Sequence, residues 1–161
     1  MITQVLPEHE RWPEIAALFP RAAAWVADPS EEGDYHFLLA TGEDGTVLGG
    51  SVIEIGTLRL GPLADMPIGY LENILVLAPQ RRKGIGTALL RATLNHAWEH
   101  GCENARWTVP YDNLAAIALY RSMGLGFTPD EDPSQAEPEL QYTVVAISPA
   151  RVELGYGMDR R

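Results

Sequence analysis

A chain of 161 residues, 46% of them hydrophobic and 21% charged, is long enough for one compact domain and too short for two. Its formal net charge of −10 argues against a nucleic-acid binder, whose interface is a basic face. The sequence contains no apolar run of the ~18 residues that a membrane span needs, and the N-terminal MITQVLPEHE lacks the features of a signal peptide. We therefore expect a single domain over residues 1–161, cytoplasmic, without nucleic-acid or membrane partners.

The N-terminal half contains patterns of a helical region and of short strands. In chain order, the sequence predicts a strand over Met1 to Val5, a helical region over Pro7 to Asp28, and strands over Tyr35 to Ala40 and Val47 to Ile55. The glycines of GEDG at 42–45 favour a hairpin turn between the last two strands. Gly49 and Gly50 suggest a bulge in its second arm.

The C-terminal half alternates strands with helices. After a loop over Gly61 to Pro67, the sequence predicts strand Gly69 to Leu77, helix Gly84 to His100, strand Asn104 to Val109, helix Leu114 to Met123 and strand Leu140 to Ile147. Gly101 is a helix stop, and Asp112 or Asn113 can cap the second helix. Hairpin strands combined with crossover units predict an α+β sheet of mixed direction with two parallel central strands.

The segment from Leu71 to Leu90, LENILVLAPQRRKGIGTALL, predicts a phosphate site. An apolar strand runs through a basic turn containing Gly84 and Gly86 directly into a helix. Glycines let the backbone turn tightly and approach a ligand, while the first amides of the helix are unpaired and lie at the positive end of its dipole. Together these groups favour an anion.

Spacing separates the kinds of phosphate loop. A triphosphate loop needs G-x-x-x-x-G-K-[ST], which is absent from the sequence. A dinucleotide loop needs G-x-G-x-x-G followed by an acidic residue after the next strand, whereas Leu89 takes the third glycine position and Glu103 precedes that strand. The remaining pattern is Arg81-x-x-Gly84-x-Gly86, followed by Asn113, Ala116 and Tyr120 on one face of a later helix.

These residues resemble the acetyl-CoA loop [QR]-x-x-G-x-[GA] and the later N-x-x-A-x-x-x-Y pattern of the GNAT-type N-acetyltransferases. The resemblance covers about Tyr70 to Phe127, and it departs from the family where Leu125 follows Gly124, with Gly126-Phe127 two positions later. It implies an α/β/α fold with a mostly antiparallel sheet whose two parallel strands splay around acetyl-CoA. It also implies cosubstrate contacts from Leu75, Val76, Arg81, Arg82, Lys83, Gly84, Ile85, Gly86, Thr87 and Asn113.

The implied reaction is direct acetyl transfer from acetyl-CoA to a primary amine of a small molecule or peptide. Glu72, expected among apolar neighbours on the face of Ile74 and Val76, is the candidate base. Tyr120, protonated at neutral pH, is the candidate acid for the sulfur. Polyamines, aminoglycosides, amino acids and protein amines all remain open as acceptors, and homodimers are common in the family.

Two other functions remain as alternatives: a non-catalytic acyl-CoA sensor or scaffold, and a nucleotide-binding regulatory domain, which the missing third glycine disfavours. No metal is expected, because His96 and His100 are one helical turn apart without the glutamate of H-E-x-x-H or an evident third ligand. The single cysteine, Cys102, excludes an intramolecular disulfide and is expected to be a small buried hydrophobe.

Overall fold

The computed structural model describes residues 1–27, 33–58, 66–110, 112–125, 128–129 and 139–145. Within them the strands are β1 Ile2–Gln4, β2 Asp34–Thr41, β3 Val47–Leu58, β4 Met66–Val76, β5 Asn104–Pro110, β6 Thr128–Pro129 and β7 Glu139–Val145. The helices are α1 Trp12–Leu18, α2 Ala22–Ala27, α3 Ile85–Glu99 and α4 Leu114–Ser122, with a 3-10 turn at Ala78–Gln80. Most of the predicted loop 61–67, the Gly126-Phe127 pair and the chain after residue 145 lie outside the described residues.

The strands form a single mixed sheet in the order β1-β2-β3-β4-β5-β7-β6. Its neighbouring strands are antiparallel except β4 and β5, which are parallel and connected through α3. The predicted mixed α+β fold with two parallel central strands is therefore confirmed. The two-residue strand β6 was not predicted, since its length is too short to carry an alternating pattern.

Helices cover both faces of the sheet, and each face has its own hydrophobic core. Adjacent residues of β3 show the division, because side chains alternate between faces along a strand. Val52 belongs to the core beneath α1 and α2, together with Ile15 and Phe37. Ile53 belongs to the core beneath α3 and α4, together with Leu94. Trp98, near the end of α3, is 38% exposed.

The predicted helical region Pro7 to Asp28 is two short helices. α1 ends at Leu18. The next residue, the C-cap Phe19, has an extended backbone with a φ of −129° and a ψ of 86°. Pro20 explains the break, because proline disfavours a helical conformation in the residue before it and supplies no amide for the helix. α2 begins only at Ala22.

Two bulges interrupt the sheet. Opposite β2, Ala40 pairs with Gly49 while Thr41 pairs with Val47, so Leu48 is the extra residue in the second arm of the hairpin, beside the glycines that predicted it. Opposite β3, Val52 pairs with Asn73 while Ile53 pairs with Leu71. Glu72 is therefore the extra residue of β4 at this second bulge, which bends β4 just before its last residues.

The parallel strands separate along their length. β4 and β5 are paired only from Ile68 to Tyr70 and from Asn104 to Arg106. β4 nevertheless continues to Val76 and β5 to Pro110, where β5 remains paired with β7. The edge of β4 after Tyr70 is consequently open to a ligand. Among the described helices, none is long and apolar enough to cross a membrane.

Candidate active site

A cleft of about 580 Å³ lies where the two parallel strands part. Three segments line it: residues 74–76 at the end of β4, the turn into α3, and one side of α4. Nine of the ten residues predicted to contact the cosubstrate line this cleft, namely Leu75, Val76, Arg81, Arg82, Gly84, Ile85, Gly86, Thr87 and Asn113. Lys83 is not among the lining residues.

The turn presents the bare N-terminus of α3 to the cleft. Gly84 is the N-cap with a φ of 79°, and no side chain caps the helix. The first hydrogen bond of the helix runs from the Ala88 amide to the Gly84 carbonyl at 3.0 Å. The amides of Ile85, Gly86 and Thr87 therefore have no carbonyl within the helix to donate to, and such amides, together with the helix dipole, favour an anion.

The two glycines of this turn are needed for different reasons. At Gly84 the backbone is left-handed, and a Cβ built there would have no neighbour within 4 Å. At Gly86 a Cβ would lie 3.3 Å from Leu119 Cδ2 and 3.7 Å from Val76 Cγ2. Gly84 thus provides a conformation, whereas Gly86 provides space between α3 and α4.

Two arginines give a positive charge to the part of the cleft beside the N-terminus of α3. The Arg81 Nε donates to the Val76 carbonyl at 3.0 Å, which ties the turn to the end of β4. Arg82 has a φ of 65°, an uncommon conformation for a residue with a side chain. Lys83 instead donates to Gln80 Oε1 at 3.0 Å. Among the described residues that line the cleft, Arg81 and Arg82 are charged and none is acidic, although the chain as a whole carries a net charge of −10.

α4 forms the opposite wall. Asn113 is its N-cap, and the Asn113 Oδ1 accepts from the Ala116 amide at 3.2 Å, so the predicted capping role is confirmed. Asn113, Ala116 and Tyr120 all line the cleft, as expected of one helical face. A second row that the sequence analysis missed, Ala115, Ala118 and Ser122, lines it as well. The i, i+3, i+7 spacing of these small residues was the available signal.

Tyr120 lies deep in this wall. It is 7% exposed, and its ring packs edge-on against Trp107 of β5 at 5.5 Å between centroids. Packing between the core and the cleft limits the freedom of the ring. A phenol held in this way can keep its hydroxyl in one place relative to a ligand.

Glu72 is not where the sequence analysis expected it. Simple alternation along β4 placed it among apolar neighbours with Ile74 and Val76, but the bulge at Glu72 interrupts that alternation. The side chain is exposed and does not line the cleft. The residues of β4 that line the cleft begin at Ile74. Glu72 precedes Ile74 by two residues, about 7 Å along the strand.

Gly49, on β3, allows close approach of the β4 residues that line the cleft. A Cβ built there would lie only 2.2 Å from the Leu75 carbonyl oxygen. Any other residue would therefore push β4 away from β3 at the positions that line the cleft. The paired glycines signalled a bulge in the sequence, but the close approach of Leu75 is a consequence of sheet pairing.

Cys102 is 0% exposed, and burial raises the pKa of its thiol to about 11. The thiol is therefore protonated at neutral pH and behaves as a small apolar side chain, as the sequence analysis expected. It is not among the residues that line the cleft.

Comparison with known proteins agrees with this architecture. The family model described as the Acetyltransferase (GNAT) family matches residues 3–125. An aminoglycoside N(6')-acetyltransferase type 1 from Acinetobacter haemolyticus is 36% identical over 58 residues, which are 36% of this chain and 40% of the relative. An L-ornithine N5-acetyltransferase from Arabidopsis thaliana is 40% identical over 55 residues, 34% of this chain and 24% of the relative. The chain thus aligns with less than half the length of either relative.

Solved structures share the fold. The ribosomal-protein-S18-alanine N-acetyltransferase from Escherichia coli superposes with a TM-score of 0.59 at 22% identity, covering 92% of this chain and 95% of that one. The matched family segment ends just after α4, so it includes the open strand edge, the turn and the opposite wall of the cleft. The chain belongs to the GNAT family of acetyltransferases.

Proposed function

We propose that this protein transfers the acetyl group of acetyl-CoA to a primary amine of a small molecule or peptide, by direct attack in a ternary complex. The observation that carries the proposal is the cleft between the open end of β4, the turn into α3 and α4. It offers phosphate-binding groups at one end and Tyr120 on the wall formed by α4. The two relatives are named as N-acetyltransferases of an aminoglycoside and of ornithine, which supports an amine as the acceptor.

The phosphate end suits the pyrophosphate of CoA. The amides at the start of α3 donate to the phosphate oxygens, and Arg81 and Arg82 neutralise their charge. The free edge of β4 at Leu75 and Val76 pairs with the amides of the pantetheine arm in the manner of an added strand. Asn113 lies on the other side of that arm, at the start of α4.

At the reaction end, a bond forms between the amine nitrogen and the acetyl carbon while the carbon–sulfur bond breaks. The Val76 amide stabilises the negative charge that develops on the carbonyl oxygen. Tyr120 donates its proton to the departing sulfur. Glu72 accepts the proton of the amine through water, a route that its exposed position beyond Ile74 requires. The products are an N-acetylated amine and the CoA thiol.

A thiol-release assay with acetyl-CoA and a panel of amines tests this function. Tyr120→Phe is expected to lower kcat by about 100- to 10,000-fold without weakening CoA binding, since general acid assistance has that magnitude. Glu72→Gln is expected to lower kcat as well, and Glu99→Gln at the exposed end of α3 serves as its matched control.

Two results would count against the enzyme. CoA binding without thiol release for any amine would favour the non-catalytic sensor. An unchanged melting temperature at saturating CoA would contradict the cleft assignment itself, because ligand at 100 times its dissociation constant stabilises a fold by about 2.7 kcal/mol.

A further inference from the structure

Three of the four histidines of the chain meet away from the cleft. His36 lies on β2, and His96 and His100 lie one turn apart near the end of α3. One ring nitrogen from each lies within 4.8 Å of the other two. The His96 Nε2 and the His36 Nδ1 are 2.9 Å apart, across 60 positions of sequence. None of the three lines the cleft, and about 14 Å of helix separates His96 from Thr87.

The spacing of these nitrogens suits a tetrahedral metal ion. Zinc binds imidazole nitrogen at about 2.0–2.1 Å, which places two ligands of a tetrahedral site about 3.3 Å apart. In the cluster, one pair of nitrogens is 2.9 Å apart and all three lie within 4.8 Å of one another, a range that includes this value. The exposed Gln4 amide, whose Nε2 is 3.2 Å from His36 Nδ1, must turn away to free that nitrogen.

The tautomer of His100 already suits metal binding. Its Nδ1 lies 2.8 Å from the His96 carbonyl oxygen. A carbonyl can only accept a hydrogen bond, so the His100 Nδ1 carries the proton and donates. In the neutral ring with this tautomer, the lone pair is on Nε2. A backbone carbonyl that orients the second nitrogen of a histidine in this way is the usual support of a metal ligand.

Burial keeps the inner two rings neutral. It is the main cause that lowers the pKa of His96 to about 4, with smaller contributions from the charges of His100 and His36. Burial and the charge of His100 also lower the pKa of His36, against an opposing effect of Asp34.

We propose that His36, His96 and His100 bind a divalent transition-metal ion of the Zn²⁺ class and so join the end of α3 to β2. His100 is exposed, which leaves the fourth position to water. Imidazole ligands favour Zn²⁺, Cu²⁺ and Ni²⁺ over the hard cations Mg²⁺ and Ca²⁺. No metal was expected from the sequence because the glutamate of H-E-x-x-H and an evident third ligand were both absent. The third ligand, His36, lies 60 positions from His96 and meets it only through the packing of α3 on the sheet.

Calorimetric titration of the chelator-treated protein with ZnCl₂ tests the site. One equivalent is expected to bind, to raise the melting temperature and to be removed by EDTA, while MgCl₂ has no effect. Removal of groups that only orient a ligand weakens metal sites about 10- to 100-fold, so His96→Gln and His100→Gln are each expected to weaken binding by more than about 100-fold. His9→Gln, which replaces the remaining histidine, is the matched control and is expected to bind normally.

Cobalt(II) provides a second measurement that does not depend on stability or acetyl transfer. A tetrahedral Co²⁺ site is expected to absorb strongly in the visible range, and His36→Gln is expected to abolish that absorption. Should His36→Gln fail to fold, the exposed His100→Gln variant still decides the question. The proposal is wrong if no Zn²⁺ binds, if binding survives His100→Gln, or if it is lost in His9→Gln.

Discussion

The two ends of the cleft are built in different ways. At the phosphate end, the seven consecutive positions from Arg81 to Thr87 supply a turn, a helix N-terminus and two positive charges that line the cleft. At the other end, where we propose that acetyl transfer occurs, β4 supplies Val76 and α4 supplies Tyr120, more than 40 positions later. The first arrangement is local, and the second depends on how a bulged strand packs near a helix from the other half of the fold.

Because of this difference, substitutions at the two ends should change different measured quantities. A local site depends on backbone conformation, on unpaired amides and on charge, so its failures should appear as lost CoA affinity. An assembled site depends on relative placement, so its failures should appear in kcat, as expected above for Tyr120→Phe. Variants of the turn and of α4 can therefore distinguish the two kinds of failure.

The largest effect at the phosphate end is expected from removing both arginines that line the cleft. Arg81→Ala combined with Arg82→Ala should raise the dissociation constant of CoA by about 10- to 100-fold, because charge-assisted hydrogen bonds to phosphate are lost. Calorimetry at low and high salt measures it, and the difference between the wild type and this variant should shrink as salt screens the charges. Lys83→Ala, in the same turn but outside the cleft, is the matched control. An equal loss in Lys83→Ala would show that net charge rather than geometry holds the ligand.

Gly86→Val should destabilise the fold by about 1–3 kcal/mol, the usual cost of overpacking. A Cβ there already lies 3.3 Å from Leu119 Cδ2, so two further methyl groups must push α3 and α4 apart. Urea denaturation measures the stability, and CoA affinity should fall with it. Ala88→Val, at an exposed position one half-turn later, controls for the lower helix propensity of valine. Equal destabilisation in both variants would remove the packing argument.

Gly84→Ala should cost about 1–2 kcal/mol for a different reason, the left-handed φ of 79°. No atom lies within 4 Å of the new Cβ, so the cost is conformational rather than steric. Gly84→Asn should recover part of the loss, since asparagine tolerates this conformation. Denaturation midpoints of the three proteins provide the comparison. If alanine is as stable as glycine, the left-handed conformation is not required.

The smallest effect is expected at Asn113, where loss of the helix cap by Asn113→Ala should cost about 1 kcal/mol of stability. Asn113→Asp keeps an acceptor for the Ala116 amide and removes the side-chain amide donor. CoA affinity therefore distinguishes the two roles. Weaker binding in a fully stable Asn113→Asp variant would indicate a ligand contact, whereas unchanged binding would leave Asn113 as a cap alone.

Local chemistry explains which predictions from the sequence succeeded. Gly101 was expected to stop α3, and it follows the helix with a φ of 85°. Asn113 was expected to cap α4, and it does. Pro20 could have predicted the break between α1 and α2, but apolar spacing through the region concealed it. Each of these features depends on residues within one or two helical turns of one another.

Features that failed or were missed depend on pairing between distant segments. The exposure of Glu72 follows from a bulge that is defined by β3 as much as by β4. The close approach behind Gly49 exists only because the Leu75 carbonyl lies against it. His36 joins His96 and His100 only because α3 packs on β2, and no spacing along the chain indicates it.

The order of neighbouring residues was sufficient to predict the glycine turn before α3, the helix caps, the mixed sheet and the family. The tertiary structure alone decided where β4 and β5 separate, on which side of its strand Glu72 lies, and which three histidines meet. A change in strand register or an inserted bulge moves a side chain to the next position or to the other face of the sheet. The register, the bulges and the packing of helices all depend on contacts with segments far along the chain.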